Sequence, residues 1–116
     1  MSTRFRIYGW DFSAQQPQGE LLSEAQRPNG TRVRDVLFTG MRPADWDRHD
    51  KVGLVQEKAE PGTVWEIEVA HQNGPYPVTG GLGVGIDVQV TLVETTLSGN
   101  DYKDRKRKLG FPAHQL

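Results

Sequence analysis

The run Gly85-Ile86-Asp87-Val88-Gln89-Val90-Thr91-Leu92-Val93-Glu94-Thr95 restricts the fold more than any other stretch of this chain. Ile86, Val88, Val90 and Leu92 recur at every second position, and Asp87, Gln89, Thr91 and Glu94 interrupt them. Successive side chains of an extended chain point to opposite faces, so this period makes a strand with one dry side and one wet side. β-branched residues suit such a pleated, half-buried surface. The run places the chain among small β domains.

Four further segments read as strands. Arg4 to Trp10 sets Phe5 and Ile7 against Arg4, Arg6 and Tyr8. Thr31 to Thr39 has apolar residues on both sides, Val33 and Leu37 against Val36 and Phe38, which predicts a central or doubly covered strand. Val52 to Lys58 is short. Thr63 to His71 alternates, with Trp65, Ile67 and Val69 predicted inward and Glu66 and Glu68 toward water.

Between these, Asp11 to Gly30 reads as a polar loop with one helical turn near Leu21 to Ala25. Pro28-Asn29-Gly30 is a turn that launches the next strand. Arg42-Pro43-Ala44-Asp45-Trp46-Asp47 looks like the start of a short helix, with Pro in its first turn and acids at its positive end. Asn73-Gly74-Pro75-Tyr76-Pro77 is predicted to be a loop. Thirteen Gly and seven Pro make turns frequent and long helices improbable. The expected fold is therefore all-β, a small antiparallel sandwich or partly open barrel of about five strands, with one short helical turn and extended loops and termini. At 116 residues one domain is expected. Residues 1–100 would form the β body and residues 101–116 a basic C-terminal arm.

With no cysteine, the sequence holds no disulfide, thiolate nucleophile or thiolate metal site. Small secreted domains more often carry such staples, and the Met1 to Tyr8 segment lacks the apolar core of a signal peptide. No run approaches the roughly 18 apolar residues of a membrane helix. The expected setting is intracellular or within a virion, without export through a signal peptide and without a membrane.

Charge is unevenly distributed. Residues 1–42 hold six basic and four acidic side chains, residues 43–102 three and ten, and residues 103–116 five and one. The overall charge of -1 thus conceals local balances of +2, -7 and +4.

Several constellations invite a chemical reading. Asp45-Trp46-Asp47-Arg48-His49-Asp50 offers three carboxylates and an imidazole, which could hold a hard cation or orient His49 as a base. It lacks the glycine and the twelfth-position acid of a helix-loop-helix calcium site. The same residues also read as a helical turn whose acids face its dipole while Trp46 anchors it. Gly80 to Gly85 precedes a strand instead of opening a helix, so it does not fit a phosphate loop. Ser13, Ser23 and Ser98 lack a nucleophile elbow, and His71 and His114 have no sequence-defined partner. These patterns imply no catalytic residue, cofactor or metal ligand.

Lys103-Asp104-Arg105-Lys106-Arg107-Lys108 is the cluster with a specific physical consequence. Five phosphate contacts would give a salt slope near -4 to -5, at about -0.9 for each contact. Alternatively the cations would dock on an acidic protein surface. The leading expectation is a non-enzymatic structural or accessory subunit, acting through contacts with other subunits in a homo- or hetero-oligomer. A phage virion component of capsid-decoration or connector type fits that description. Lys103, Arg105, Lys106, Arg107 and Lys108 would dock electrostatically, Leu109 and Phe111 would form an apolar latch, and Gln15 to Gly30 would supply a second contact. The alternatives are a nucleic-acid-binding barrel using Arg4, Arg6, Arg32 and Arg34 beside Tyr8 and Trp10, and an acidic inhibitor or immunity-type protein using Asp45 to Glu68.

Overall fold

The computed structural model describes residues 4–5, 18–57, 62–77 and 83–111. Their elements are β1 (Arg4–Phe5), β2 (Gln18–Gln26), β3 (Arg32–Met41), α1 (Pro43–Val52), β4 (Leu54–Gln56), β5 (Val64–Pro77), β6 (Val84–Glu94) and α2 (Gly99–Lys108). The strands form one open antiparallel sheet in the order β1-β2-β3-β6-β5-β4. The molecule is mostly β, as its alternating pattern requires, and the sheet does not close into a barrel. Among the described residues the layers beside it are helices, not a second sheet.

β6 is central and alternates as its sequence dictates. Ile86, Val88, Val90 and Leu92 are buried, while Gln89 is exposed and Asp87 and Thr91 are half-buried. β3 lies beside it and adds Val36 and Phe38 to the same core. Trp65 and Val55 complete that core from β5 and β4, and Trp46 enters it from α1. The adjacent Val64 is also fully buried, although its side chain points to the opposite face. It joins Leu54, Val52 of α1 and Tyr102 of α2 in a second cluster. The β4–β5 corner is therefore covered on both faces, which is why two consecutive residues lose all contact with water.

Several segments depart from expectation. Gln18 to Gln26, expected as loop and helical turn, is a nine-residue strand. Its sequence has little β preference. Pairing with β3 supplies the hydrogen bonds, and a bulge after Leu21 absorbs the mismatch. The Pro28-Asn29-Gly30 turn forms as expected, with the Gly30 N–H donating to the Arg27 carbonyl at 2.8 Å and Gly30 in the left-handed region. Val69 faces water because a bulge between Ile67 and Val69 reverses the alternation and turns Ala70 toward the core instead. Asn73 to Pro77 continues β5 and is not a loop. A second irregularity accommodates Gly74 and Pro75, and Tyr76 re-enters the ladder opposite Gly85. The Tyr76 hydroxyl donates to Asp87 and accepts the Gly40 N–H at 3.0 Å, tying β5, β6 and β3 together.

The helix expected as a single turn runs for ten residues, and Gly53 closes it with a left-handed backbone. It takes Val52 from the strand expected there, leaving β4 with Leu54 to Gln56. The remainder of the first predicted strand, from Arg6 to Trp10, lies outside the described residues, as do Lys58 and Gly80.

Candidate functional site

Residues 103–108, expected in an extended arm, belong to α2. Ser98 starts this helix with a capping box: the Asp101 N–H donates to Ser98 Oγ at 3.2 Å, and the Ser98 N–H donates to Asp101 Oδ2 at 2.8 Å. The Ser98 N–H, then the Ser98 hydroxyl, hold the Asp101 carboxyl below its ordinary pKa. Cations crowd the last turn, where the helix dipole favours positive charge. Gly110, with a φ of 84°, ends the helix; its N–H donates to the Arg107 carbonyl at 3.0 Å and the Phe111 N–H to the Lys106 carbonyl at 3.1 Å. The signals for a helix were present in sequence, in Ser98-x-x-Asp101 and Gly110.

The predicted docking residues divide according to helical geometry. At 3.6 residues per turn, Tyr102 and Lys106 share one face, and that face is buried. Lys106 Nζ sits 4.3 Å from the centroid of the Tyr102 ring. Burial lowers the Lys106 pKa, and Lys103 and Arg48 add to the effect. Arg105 is exposed overall, yet its guanidinium donates to the Val52 carbonyl at 3.3 Å in a part-buried contact, joining α2 to the end of α1. Phe111 is half-buried against the Val52, Leu54, Val64 and Tyr102 cluster, so it latches onto its own chain. Lys103, Arg107, Lys108 and Leu109 remain exposed, with Arg107 paired to Asp104 at 2.6 Å. A shallow groove of about 200 Å³ lies between Leu97, Asp101, Asp104, Arg105 and Lys108.

The Asp45 to Asp50 group is divided in the same way. Asp45 is buried and binds Arg42 and Arg48, Trp46 enters the core, and Asp47 pairs with Lys51 at 3.3 Å. His49 is buried toward α2, and its pKa falls to about 4. Burial is the main cause; Lys106 and Arg48 reinforce it and Asp45 opposes it. Among the described residues no three His, Asp or Glu side chains are gathered to hold a metal ion. Ser23 donates to Asp35 at 2.9 Å and Ser98 caps α2, while Ser13 and His114 lie outside the described residues.

Sequence reasoning also missed an ionic cluster on the core side of the sheet. Strand register brings Arg32 and Arg34 over the Trp65 ring, at 5.3 and 4.8 Å from its centroid. Arg32 binds Glu94 at 2.7 Å, and Arg34 binds Glu57 at 3.0 Å and Glu24 at 3.1 Å. Trp65 Nε1 donates to the second Glu57 oxygen at 3.2 Å. These two arginines cannot serve as a free basic stripe, and Arg6, Tyr8 and Trp10 lie outside the described residues. The acidic middle is likewise consumed in part, since Asp45 and Glu57 are buried in ion pairs and Glu68 binds Arg27 at 2.6 Å.

Comparison with protein-family models, curated proteins and solved structures finds no match. No helix among the described residues is long and apolar enough to cross a membrane.

Proposed function

We propose that this chain works by contact, as a structural or accessory subunit that docks on other protein through the outer surface of α2. The observation that supports this reading is the division of the helix. Tyr102 and Lys106 fix it to the body, while Lys103, Arg105, Arg107, Lys108 and the half-exposed Leu109 face outward. Held this way, the helix backbone loses little further freedom on binding, which favours affinity. The chemistry fits a partner with an acidic patch beside a small apolar recess. A virion, in which many copies meet fixed neighbours, is one assembly of this kind.

The cations point around the helix and not along one line, so a nucleic-acid backbone would meet about two at once. Its salt slope would then be near -2 instead of -4 to -5.

Charge reversal tests the proposal better than truncation, because removing α2 would uncover Val52, Leu54 and Val64. The double variant Lys103→Glu/Lys108→Glu, which spares the Arg105 contact with Val52, should keep the wild-type melting curve and lose the acidic protein partner that the wild-type chain retains, identified by mass spectrometry. Undiminished partner retention by this variant overturns the assignment to α2. Binding of a labelled oligonucleotide with a steep salt slope would replace protein docking with nucleic-acid binding.

A further inference from the structure

The longest unpaired backbone among the described residues is the outer edge of β5. β4 pairs only with Val64, Trp65 and Glu66, and the Ile67 N–H donates to the Gly53 carbonyl at 2.9 Å. From Glu68 to Pro77 the strand is bonded to β6 on one side and to no described strand on the other. Two irregularities, at Ile67/Val69 and at Asn73/Tyr76, leave Val69 to Asn73 as a regular five-residue ladder between them.

Protein edges are usually protected by charge, proline or bulges. Here the bulges and Pro75 and Pro77 protect the ends, while the middle is Val-Ala-His-Gln-Asn, without formal charge. The sole formal charge from Glu68 to Pro77 is Glu68, which Arg27 already neutralises. Val69 is 44% exposed at this edge. The β2 edge is a poorer platform, because a bulge follows Leu21 and Glu24 is committed to Arg34.

We infer that the Val69 to Asn73 edge pairs antiparallel with the same segment of a second copy, making one sheet continuous across a two-fold axis at His71. The segment complements itself. A two-fold axis through His71 and perpendicular to the sheet keeps the two outer faces on the same side. It sets Val69 opposite Asn73, Ala70 opposite Gln72 and His71 opposite His71, each residue meeting one of like facing. No like charges meet at neutral pH. The bulges at both ends match in the two copies, so each copy supplies a ladder of the same length. Main-chain hydrogen bonds provide the attraction. With so few residue pairs the dimer is concentration-dependent.

This contact is separate from α2, and the experiment distinguishes them. Sedimentation of the full chain across micromolar to millimolar concentration should show the mass rising from one copy to two. The sequence has no cysteine, so His71→Cys places a single thiol on the axis. Facing Cβ atoms in such a pair lie about 4.5–5.5 Å apart, close to disulfide reach. Oxidation should link this variant several-fold more readily than the exposed control Thr96→Cys. His71→Glu sets two carboxylates opposite each other and should move dimerisation to about tenfold higher concentration, a loss of roughly 1.4 kcal/mol. The α2 variant Lys103→Glu/Lys108→Glu should dimerise like wild type. A single-copy mass at every concentration overturns the inference, as does equal cross-linking of the His71→Cys and Thr96→Cys variants. Dimerisation that survives His71→Glu and fails in the α2 variant also overturns it, while leaving α2 docking intact.

Discussion

Arg34 and Lys106 are both cations withdrawn from water, and the fold holds them in opposite ways. Arg34 keeps 12% of its side-chain surface, lies between Glu24 and Glu57, and stacks on Trp65, whose N–H shares Glu57. Lys106, a residue only 8% exposed, lies on the Tyr102 ring, and Lys103 and Arg48 lie close enough to lower its pKa together with burial. The Tyr102 hydroxyl and Trp46 Nε1 are buried without a partner among the described residues. The sheet and the helix seam therefore differ in electrostatic quality. Strand register fixes side chains from four strands at spacings where opposite charges meet, whereas two short helices bring their own like charges together.

The largest expected effect breaks the sheet cluster. Glu57→Gln replaces one of the two carboxylates on Arg34 by a neutral amide while Glu24 still binds it, and should cost about 3 kcal/mol, the lower end for a broken buried pair, measured by denaturant unfolding. Adding Arg34→Met should restore much of that loss, since no charge is then left buried at this position and the new amide at position 57 can still accept the Trp65 N–H. No recovery in the double variant would mean that Arg34 acts mainly by packing on Trp65.

A smaller effect separates the seam by pH. An unfolded His49 takes up its proton near the ordinary value of 6.5, and the folded one only near 4. Between these values the unfolded chain binds more protons, so this contribution is fully present above about pH 6.5 and is lost as pH falls toward 4. The loss is at most about 3 kcal/mol. His49→Gln should flatten the stability difference between pH 7 and pH 4.5 relative to wild type. An unchanged slope would place the pH dependence elsewhere.

The smallest effect has the opposite sign. Tyr102→Phe removes a buried hydroxyl without a partner and keeps a ring for Lys106, so it should be neutral or stabilising by up to about 1 kcal/mol in a thermal melt. A clear loss of stability would show that the hydroxyl is satisfied.

The strands with clean alternation were legible because a period of two is a local property. Ile86 to Leu92 of β6 and Trp65 to Ile67 of β5 match it residue by residue. β2 was not legible, since its polar sequence becomes a strand only by pairing with β3. Val69 was misplaced because a bulge, which no periodicity records, reversed the facing of everything after Ile67. In the candidate site the clustering of cations was visible, and Ser98 and Asp101 even signalled the helix. Which cation turned inward was not visible.

The β class, the dry face of β6, the turn at Pro28 to Gly30 and the positive charge of residues 103–108 could be read locally, because each follows from neighbours within a few residues. Packing between distant segments turned Lys106 and Phe111 toward the core side and left Lys103, Arg107 and Lys108 outside. Long-range packing also set Arg32 and Arg34 against carboxylates of their own sheet, and left Glu68 to Pro77 of β5 with no described strand on its outer side. Those outcomes depend on strand order and helix seating, which are set by burial among residues far apart in the chain.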